Sequence, residues 1–173
     1  MKQLILGGAR SGKSALAERL AAATALPVTY IATAAAGDAE MARRIAHHRE
    51  RRPPSWRTVE CPLELAATLA RHAAADQCLL VDCLTLWVTN WLMADDENAW
   101  RTQRSALLDA LDTLPGEIIL VSNETGSGVV PMGELTRRFV DEAGWLHQDV
   151  AARCERVIHT IAGLPQILKG EAL

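Results

Sequence analysis

Short apolar runs alternate with alanine- and leucine-rich stretches along nearly the whole chain. Gln3-Leu4-Ile5-Leu6 reads as a buried strand closed by Gly7-Gly8. Ser14 to Thr24 reads as a helix, with Leu16 and Leu20 four apart on one face. Val28 to Ala32 is a second strand after Pro27, and 38–51 has helical character that stops at Pro53-Pro54. Arg57 to Glu60 is a short strand candidate, Leu63 to Ala75 a helix, and Cys78 to Asp82 a continuous apolar run of the kind found in a central strand. Helices are expected over Trp87–Met93, Ala99–Leu114 and most of Met132–Cys154, with strands over Glu117–Ser122 and Arg156–Ile161. Strand-helix alternation of this kind predicts an α/β layer fold with a mainly parallel sheet.

The chain has 173 residues, which suits one domain over 1–173, and neither an internal repeat nor a linker interrupts it. Hydrophobic residues make up 49% and charged residues 23%, an ordinary globular balance. The net charge of −3, with no block of one sign, argues against a dedicated nucleic-acid binder. No stretch approaches the ~20 apolar residues of a membrane helix, and the N-terminal apolar run is too short for a signal peptide. Four cysteines without a CxxC pair are expected to be free thiols in a reducing compartment, and a cytoplasmic location follows.

Gly7-Gly8-Ala9-Arg10-Ser11-Gly12-Lys13-Ser14 satisfies G-x-x-x-x-G-K-[ST] and stands between an apolar strand and a helix, where that phosphate loop belongs. Glycines let backbone N–H groups converge on phosphate oxygens, and the following helix offers its unpaired N–H groups and positive dipole end. Lys13 is placed to reach the β- and γ-phosphates, and Ser14 to hold Mg²⁺. The fold expected is therefore a P-loop NTPase, RecA-like three-layer arrangement. Asp82, at the end of Leu79-Leu80-Val81, reads either as the carboxylate that assists Mg²⁺ through water or as a cap for the following turn.

At helical spacing Met41, Ile45, His48 and Arg52 form one stripe, with His47 rotated ~100° from His48. Among Arg49, Arg51 and Arg52 the neutral imidazole is favoured by like-charge repulsion, so a histidine here suits a nucleophile whose target phosphate the arginines bind. Composition equally allows a solvated basic face. Asn123 to Gly128 follows a strand and should share the P-loop's sheet edge, as a substrate loop or as a structural turn. Trp87, Trp91 and Trp100 are expected in the core or an interface.

The ordered motifs resemble the bifunctional adenosylcobinamide kinase/adenosylcobinamide-phosphate guanylyltransferase family of cobalamin biosynthesis over nearly the whole length. The resemblance rests on Gly7 to Ser14, Tyr30-Ile31-Ala32-Thr33, and Asp38, Glu40-Met41, Arg44-Ile45-Ala46-His47-His48 with Arg52-Pro53. It continues through Trp56 to Glu60, Asp82-Cys83-Leu84-Thr85 with Asn90, Val121 to Pro131, and Arg138-Phe139, Asp141 and Gly144. It implies two activities: phosphorylation of adenosylcobinamide with GTP or ATP, then transfer of GMP from GTP through a guanylyl-histidine to adenosylcobinamide phosphate. The family pattern R-I-x-x-H-x-x-x-R-P places that histidine at His48, with His47 the alternative.

The resemblance further implies nucleotide contacts from Gly7, Gly8, Ala9, Arg10, Ser11, Gly12, Lys13 and Ser14. To these it adds Ala32, Thr33, Ala34, Arg49, Glu50, Arg51, Arg52, Glu60 and Asp82, with Mg²⁺ carried by the nucleotide, and a homotrimer. Relatives commonly have Asn-Gln where this chain has His147-Gln148, and a small apolar residue where it has Thr125; both departures are expected to lie away from the nucleotide machinery. The competing enzymatic reading is a P-loop kinase for another small metabolite. A GTP-dependent switch protein is disfavoured, since no N-K-x-D tetrad follows a strand.

Overall fold

A computed structural model of the chain describes residues 1–34 and 53–173. The helix expected over 38–51 lies outside the described residues. In chain order the elements are β1 (Lys2–Gly7), α1 (Lys13–Ala23), β2 (Val28–Ala32), β3 (Arg57–Glu60), α2 (Leu65–His72) and β4 (Cys78–Asp82). They continue with α3 (Leu84–Ala94), α4 (Glu97–Thr113), β5 (Glu117–Asn123), α5 (Glu134–Arg153), β6 (Arg156–Ile161) and β7 (Leu164–Lys169). The strands form a seven-stranded sheet in the order β3-β2-β4-β5-β1-β6-β7. Every pairing is parallel except β6 with β7.

The apolar runs are continuous because the sheet is covered on both faces. Side chains alternate across a strand, so Leu79 and Val81 of β4 enter one cluster while Cys78 and Leu80 enter the other. The first cluster holds Leu65 and Leu69 of α2, Trp87 and Leu92 of α3, Trp100, Leu107 and Leu111 of α4, and Leu146 and Val150 of α5. The second holds Leu16, Ala17 and Ala21 of α1. Helix, sheet and helix thus make the three expected layers.

Trp87 and Trp100 are fully buried with ring centroids 5.2 Å apart and planes at 61°, the edge-to-face contact aromatic rings prefer. Their indole N–H groups are satisfied, Trp87 donating to the Leu63 carbonyl at 2.6 Å and Trp100 to Glu142 at 2.8 Å. Trp91 also donates to the Leu63 carbonyl, at 3.2 Å. These three tryptophans are core and packing residues, in line with the sequence reading. Trp100→Ala is expected to cost about 3–5 kcal/mol, a large part of a typical folding stability, as a lowered urea midpoint at unchanged slope.

Two elements differ from the sequence expectation. β7 was unexpected because Pro165 removes a ladder donor and only Ile167 of the strand packs against the core. Such a strand is viable at a sheet edge, where it stands. It pairs back on β6 through Ala162-Gly163, with φ of 52° and 79°, the positive values a two-residue hairpin turn demands. The other difference is in helix bounds: α3 begins at Leu84, directly after β4, which brings Thr85 into its first turn.

The four cysteines are free and buried. Burial pushes the Cys78 and Cys83 thiols up to about 11 and Cys154 to about 12, so they stay protonated and unreactive near neutrality. Among the described residues no helix is long and apolar enough to cross a membrane.

Candidate active site

Gly7 is the last residue of β1 and Lys13 the first of α1, so the phosphate loop is the strand-to-helix connection itself. A Cβ on Gly7 would meet the Thr160 carbonyl oxygen at 2.7 Å, and Gly12 holds φ at 95°. Both positions therefore exclude a side chain, the first by space and the second by conformation. No side chain caps the N-terminus of α1, which leaves its first-turn N–H groups for an anion. Lys13 Nζ meanwhile donates to the Gly8 carbonyl at 3.1 Å, folded back over the loop. The Ser11 hydroxyl is buried with no hydrogen-bond partner among the described residues. A turn from the far hairpin braces the loop, the Gly163 N–H donating to the Ser11 carbonyl at 2.8 Å.

Because six neighbouring strands run parallel, their carboxyl ends share one edge of the sheet. This edge gathers Gly7, Ala32, Glu60, Asp82 and Asn123, the crevice where open α/β sheets bind ligands. Asp82 stands beside Ala32 on one side and Val121 on the other, while Asn123 stands beside Gly7. One strand separates the Asp82 strand from the P-loop strand, about 10 Å at the usual interstrand spacing. Asp82 accepts a hydrogen bond from the Tyr30 hydroxyl at 3.1 Å.

Glu60 is exposed on the edge strand β3, four strands from β1 and so roughly 19 Å away across the sheet. The expected nucleotide residues are therefore strung along the edge, with the P-loop at one end, Glu60 at the other and Asp82 between. Thr33 is fully buried, and its hydroxyl bonds the Cys83 carbonyl at 2.7 Å and N–H at 2.8 Å. Asn90 donates to the Thr33 carbonyl at 2.9 Å. These bonds fasten the ends of β2 and β4 together beneath the edge. His47, His48, Arg49, Glu50, Arg51 and Arg52 lie outside the described residues.

A buried polar chain runs below the loop that follows β5, and the sequence reading missed it. His147 Nε2 lies 2.8 Å from Ser122 Oγ, which lies 3.2 Å from Thr85 Oγ1. Thr85 Oγ1 accepts the Asn123 N–H at 2.7 Å, and the Glu124 N–H donates to the Gly7 carbonyl at 3.0 Å. Ser122 alternates inward on β5, and nothing in its local sequence names His147 as its partner.

Burial holds the His147 imidazole below its usual range, against a smaller opposing pull from Glu124. A histidine whose folded value is depressed contributes stability that is present above the unfolded value near 6.5 and is lost as pH falls through the folded one. The wild type should lose urea resistance below about pH 6.5 more steeply than His147→Asn, which has nothing to titrate there.

The comparisons with known proteins agree with this geometry. The model of the cobinamide kinase / cobinamide phosphate guanyltransferase family matches residues 3–168. The chain is 69% identical over 173 residues to a bifunctional adenosylcobalamin biosynthesis protein, CobP, of Pseudomonas aeruginosa, covering 100% of both. It is 39% identical to a bifunctional adenosylcobalamin biosynthesis protein, CobU, of Salmonella typhimurium, covering 95% of this chain and 97% of that one. Among solved structures, the RadB recombinase aligns with TM-score 0.54 at 15% identity over 91% of this chain and 73% of that one. The flagellar accessory protein FlaH of Methanocaldococcus jannaschii aligns with TM-score 0.53 at 13% identity over 98% and 78%. These two likenesses carry the fold alone, a RecA-like P-loop architecture. A phosphate loop at the carboxyl edge of a parallel sheet, matched over nearly its full length by the family model, makes this chain a member of the cobinamide kinase / cobinamide phosphate guanyltransferase family.

Proposed function

We propose that the chain performs both reactions along this one sheet edge: phosphorylation of adenosylcobinamide with GTP or ATP, then guanylyl transfer from GTP. The observation that carries the reading is the phosphate loop, sterically barred from side chains at Gly7 and uncapped at α1, with Asp82 two strands away. In the kinase step the aminopropanol hydroxyl of cobinamide attacks the γ-phosphorus and gives up its proton to solvent; the new O–P bond replaces the bond to the β,γ-bridging oxygen, and the nucleoside diphosphate leaves. Lys13 and the loop N–H groups stabilise the charge that builds on the phosphate oxygens. The unpartnered Ser11 hydroxyl supports a polar ligand in the same cradle.

Mg²⁺ fits the donor set of one hydroxyl and one carboxylate, Ser14 and Asp82, since this ion keeps most of its ligands from phosphate and water. When bound it neutralises charge on the β- and γ-oxygens. In the transfer step neutral His48 attacks the α-phosphorus of GTP, a P–N bond forms and pyrophosphate leaves. A phosphate oxygen of cobinamide phosphate then displaces the histidine to give adenosyl-GDP-cobinamide. His48 follows Ala34 by fourteen positions and precedes Pro53 by five, so it belongs to the connection between β2 and β3. Arg49, Glu50, Arg51, Arg52, Ala32, Ala34 and Glu60 complete the nucleotide surface in this reading, with the fully buried Thr33 fastening the end of β2 beneath it. The experiment is transfer of label from γ-³²P-GTP to adenosylcobinamide; a kinase that phosphorylates some other metabolite but not cobinamide would contradict it.

The reading extends to 1–173 acting as one cytoplasmic unit assembled as a homotrimer. Exposed Met93, Val129, Val130, Met132 and Leu135 supply apolar surface for such an interface. Sedimentation velocity tests the trimer, and a monomer at assay concentration would exclude it.

A further inference from the structure

We infer that His147 is a positioning residue for the kinase step, fixing through Ser122 and Thr85 the place of Asn123 beside the phosphate loop. The inference rests on the reading of this edge as the nucleotide site. Asn123 pairs with Gly7 in register on β1, and β5 lies between the P-loop strand and the Asp82 strand. Its side chain therefore starts from the point on the edge between the phosphate cradle and the carboxylate. It makes no hydrogen bond to another described residue, so it is available to the transferred phosphate or the acceptor oxygen. The loop beyond it folds on itself, the Glu124 carboxylate accepting the Gly126 N–H at 2.6 Å and the Ser127 hydroxyl at 3.0 Å.

What holds Asn123 there is the buried chain. Ser122 is 1% exposed, His147 8% and Thr85 9%, so none of these polar groups exchanges its partner freely with water. The proton count gives the chain a direction. The Asn123 N–H occupies one lone pair of Thr85 Oγ1. With Thr85 donating to Ser122 and Ser122 to His147 Nε2, each hydroxyl proton has an acceptor. The chain ends on a neutral imidazole, the form its burial favours. It also ties three elements together, β5, the first turn of α3 after the Asp82 strand, and α5. A hydrophobic residue at 147 would leave the Ser122 hydroxyl without its acceptor, and the error would propagate to Asn123. An asparagine carbonyl offers an acceptor in place of Nε2.

The experiment measures kcat and KM of cobinamide phosphorylation for the full-length wild type, His147→Leu, His147→Asn and Thr85→Val, each checked for a cooperative urea transition. Displacement of a positioned group by a fraction of an ångström to 1 Å predicts kcat lower by about 10–100-fold in His147→Leu and Thr85→Val. KM for GTP should change by less than threefold, and His147→Asn should recover kcat to within about threefold of wild type. The double variant His147→Leu/Thr85→Val should be no slower than the worse single variant, because both cut one chain. If His147→Leu fails to fold, Thr85→Val carries the test, since it removes the acceptor of the Asn123 N–H with little change of shape. Folded variants with wild-type kcat, a loss confined to KM, or a His147→Asn variant as slow as His147→Leu would each overturn the inference. A wild type that binds no GTP or phosphorylates no cobinamide would instead sink the reading of the site.

Discussion

His48→Ala is expected to abolish guanylyl transfer while phosphorylation of cobinamide continues. The two steps attack different phosphorus atoms, and only transfer from GTP needs a nucleophile on the protein. Removing such a nucleophile ordinarily costs on the order of 10³- to 10⁶-fold, because the covalent route is lost with it. The arginines at 49, 51 and 52 cannot substitute, since a guanidinium stays protonated. The measurement is separation of cobinamide, its phosphate and its GDP ester after incubation with GTP. Cobinamide phosphate should accumulate in His48→Ala and proceed to the GDP ester in His47→Ala. Accumulation in His47→Ala alone would move the nucleophile one residue and ~100° around the helix expected there.

Lys13→Ala should remove both reactions. Lys13 is the first residue of α1 and already reaches back over the loop to Gly8, so its ammonium stands where β- and γ-phosphate charge would collect. Losing one such charge from a preorganised cradle costs about 10²- to 10³-fold in kcat/KM. Lys13→Arg should not restore it, because the planar fork is longer and shaped for two-point contacts rather than a point charge in a tight loop. Initial rates of γ-phosphate transfer, with a parallel GTP titration, decide this. A Lys13→Ala enzyme within tenfold of wild type would mean that the nucleotide lies elsewhere on the edge.

What could be read from the sequence depended on how locally each feature is encoded. The phosphate loop is eight contiguous residues, and the strand before and helix after it are visible in the same window. Asp82 was legible because it ends an apolar run, and the buried tryptophans because aromatics of that size seek a core. The edge strand β7 was not, since Pro165 and its exposed side chains break the alternation that marks a strand. The Thr85-Ser122-His147 chain was invisible for another reason. Its bonds join residues 37 and 25 positions apart, and only the parallel packing of β5 between α3 and α5 brings them together. His147 stood out in the sequence only as a departure from the family's usual residue, and its place beside the P-loop edge needed the fold.

The distance across the edge sharpens the bifunctional reading. Glu60 and the phosphate loop lie about 19 Å apart across the sheet, so the proposed reading requires one triphosphate to be contacted at both ends or bound in two ways. Either way cobinamide phosphate, product of the first reaction and acceptor in the second, joins the two chemistries in the proposed reading.

A pulse and chase with α-³²P-GTP tests that intermediate most directly. Wild-type enzyme incubated with the labelled nucleotide, freed of small molecules and denatured in a portion, should carry an acid-labile label that His48→Ala lacks. Adding cobinamide phosphate to the remaining native portion should discharge the label quantitatively into the GDP ester. A wild type that makes the GDP ester yet never holds the label, or holds a label that cobinamide phosphate does not remove, would contradict transfer through His48.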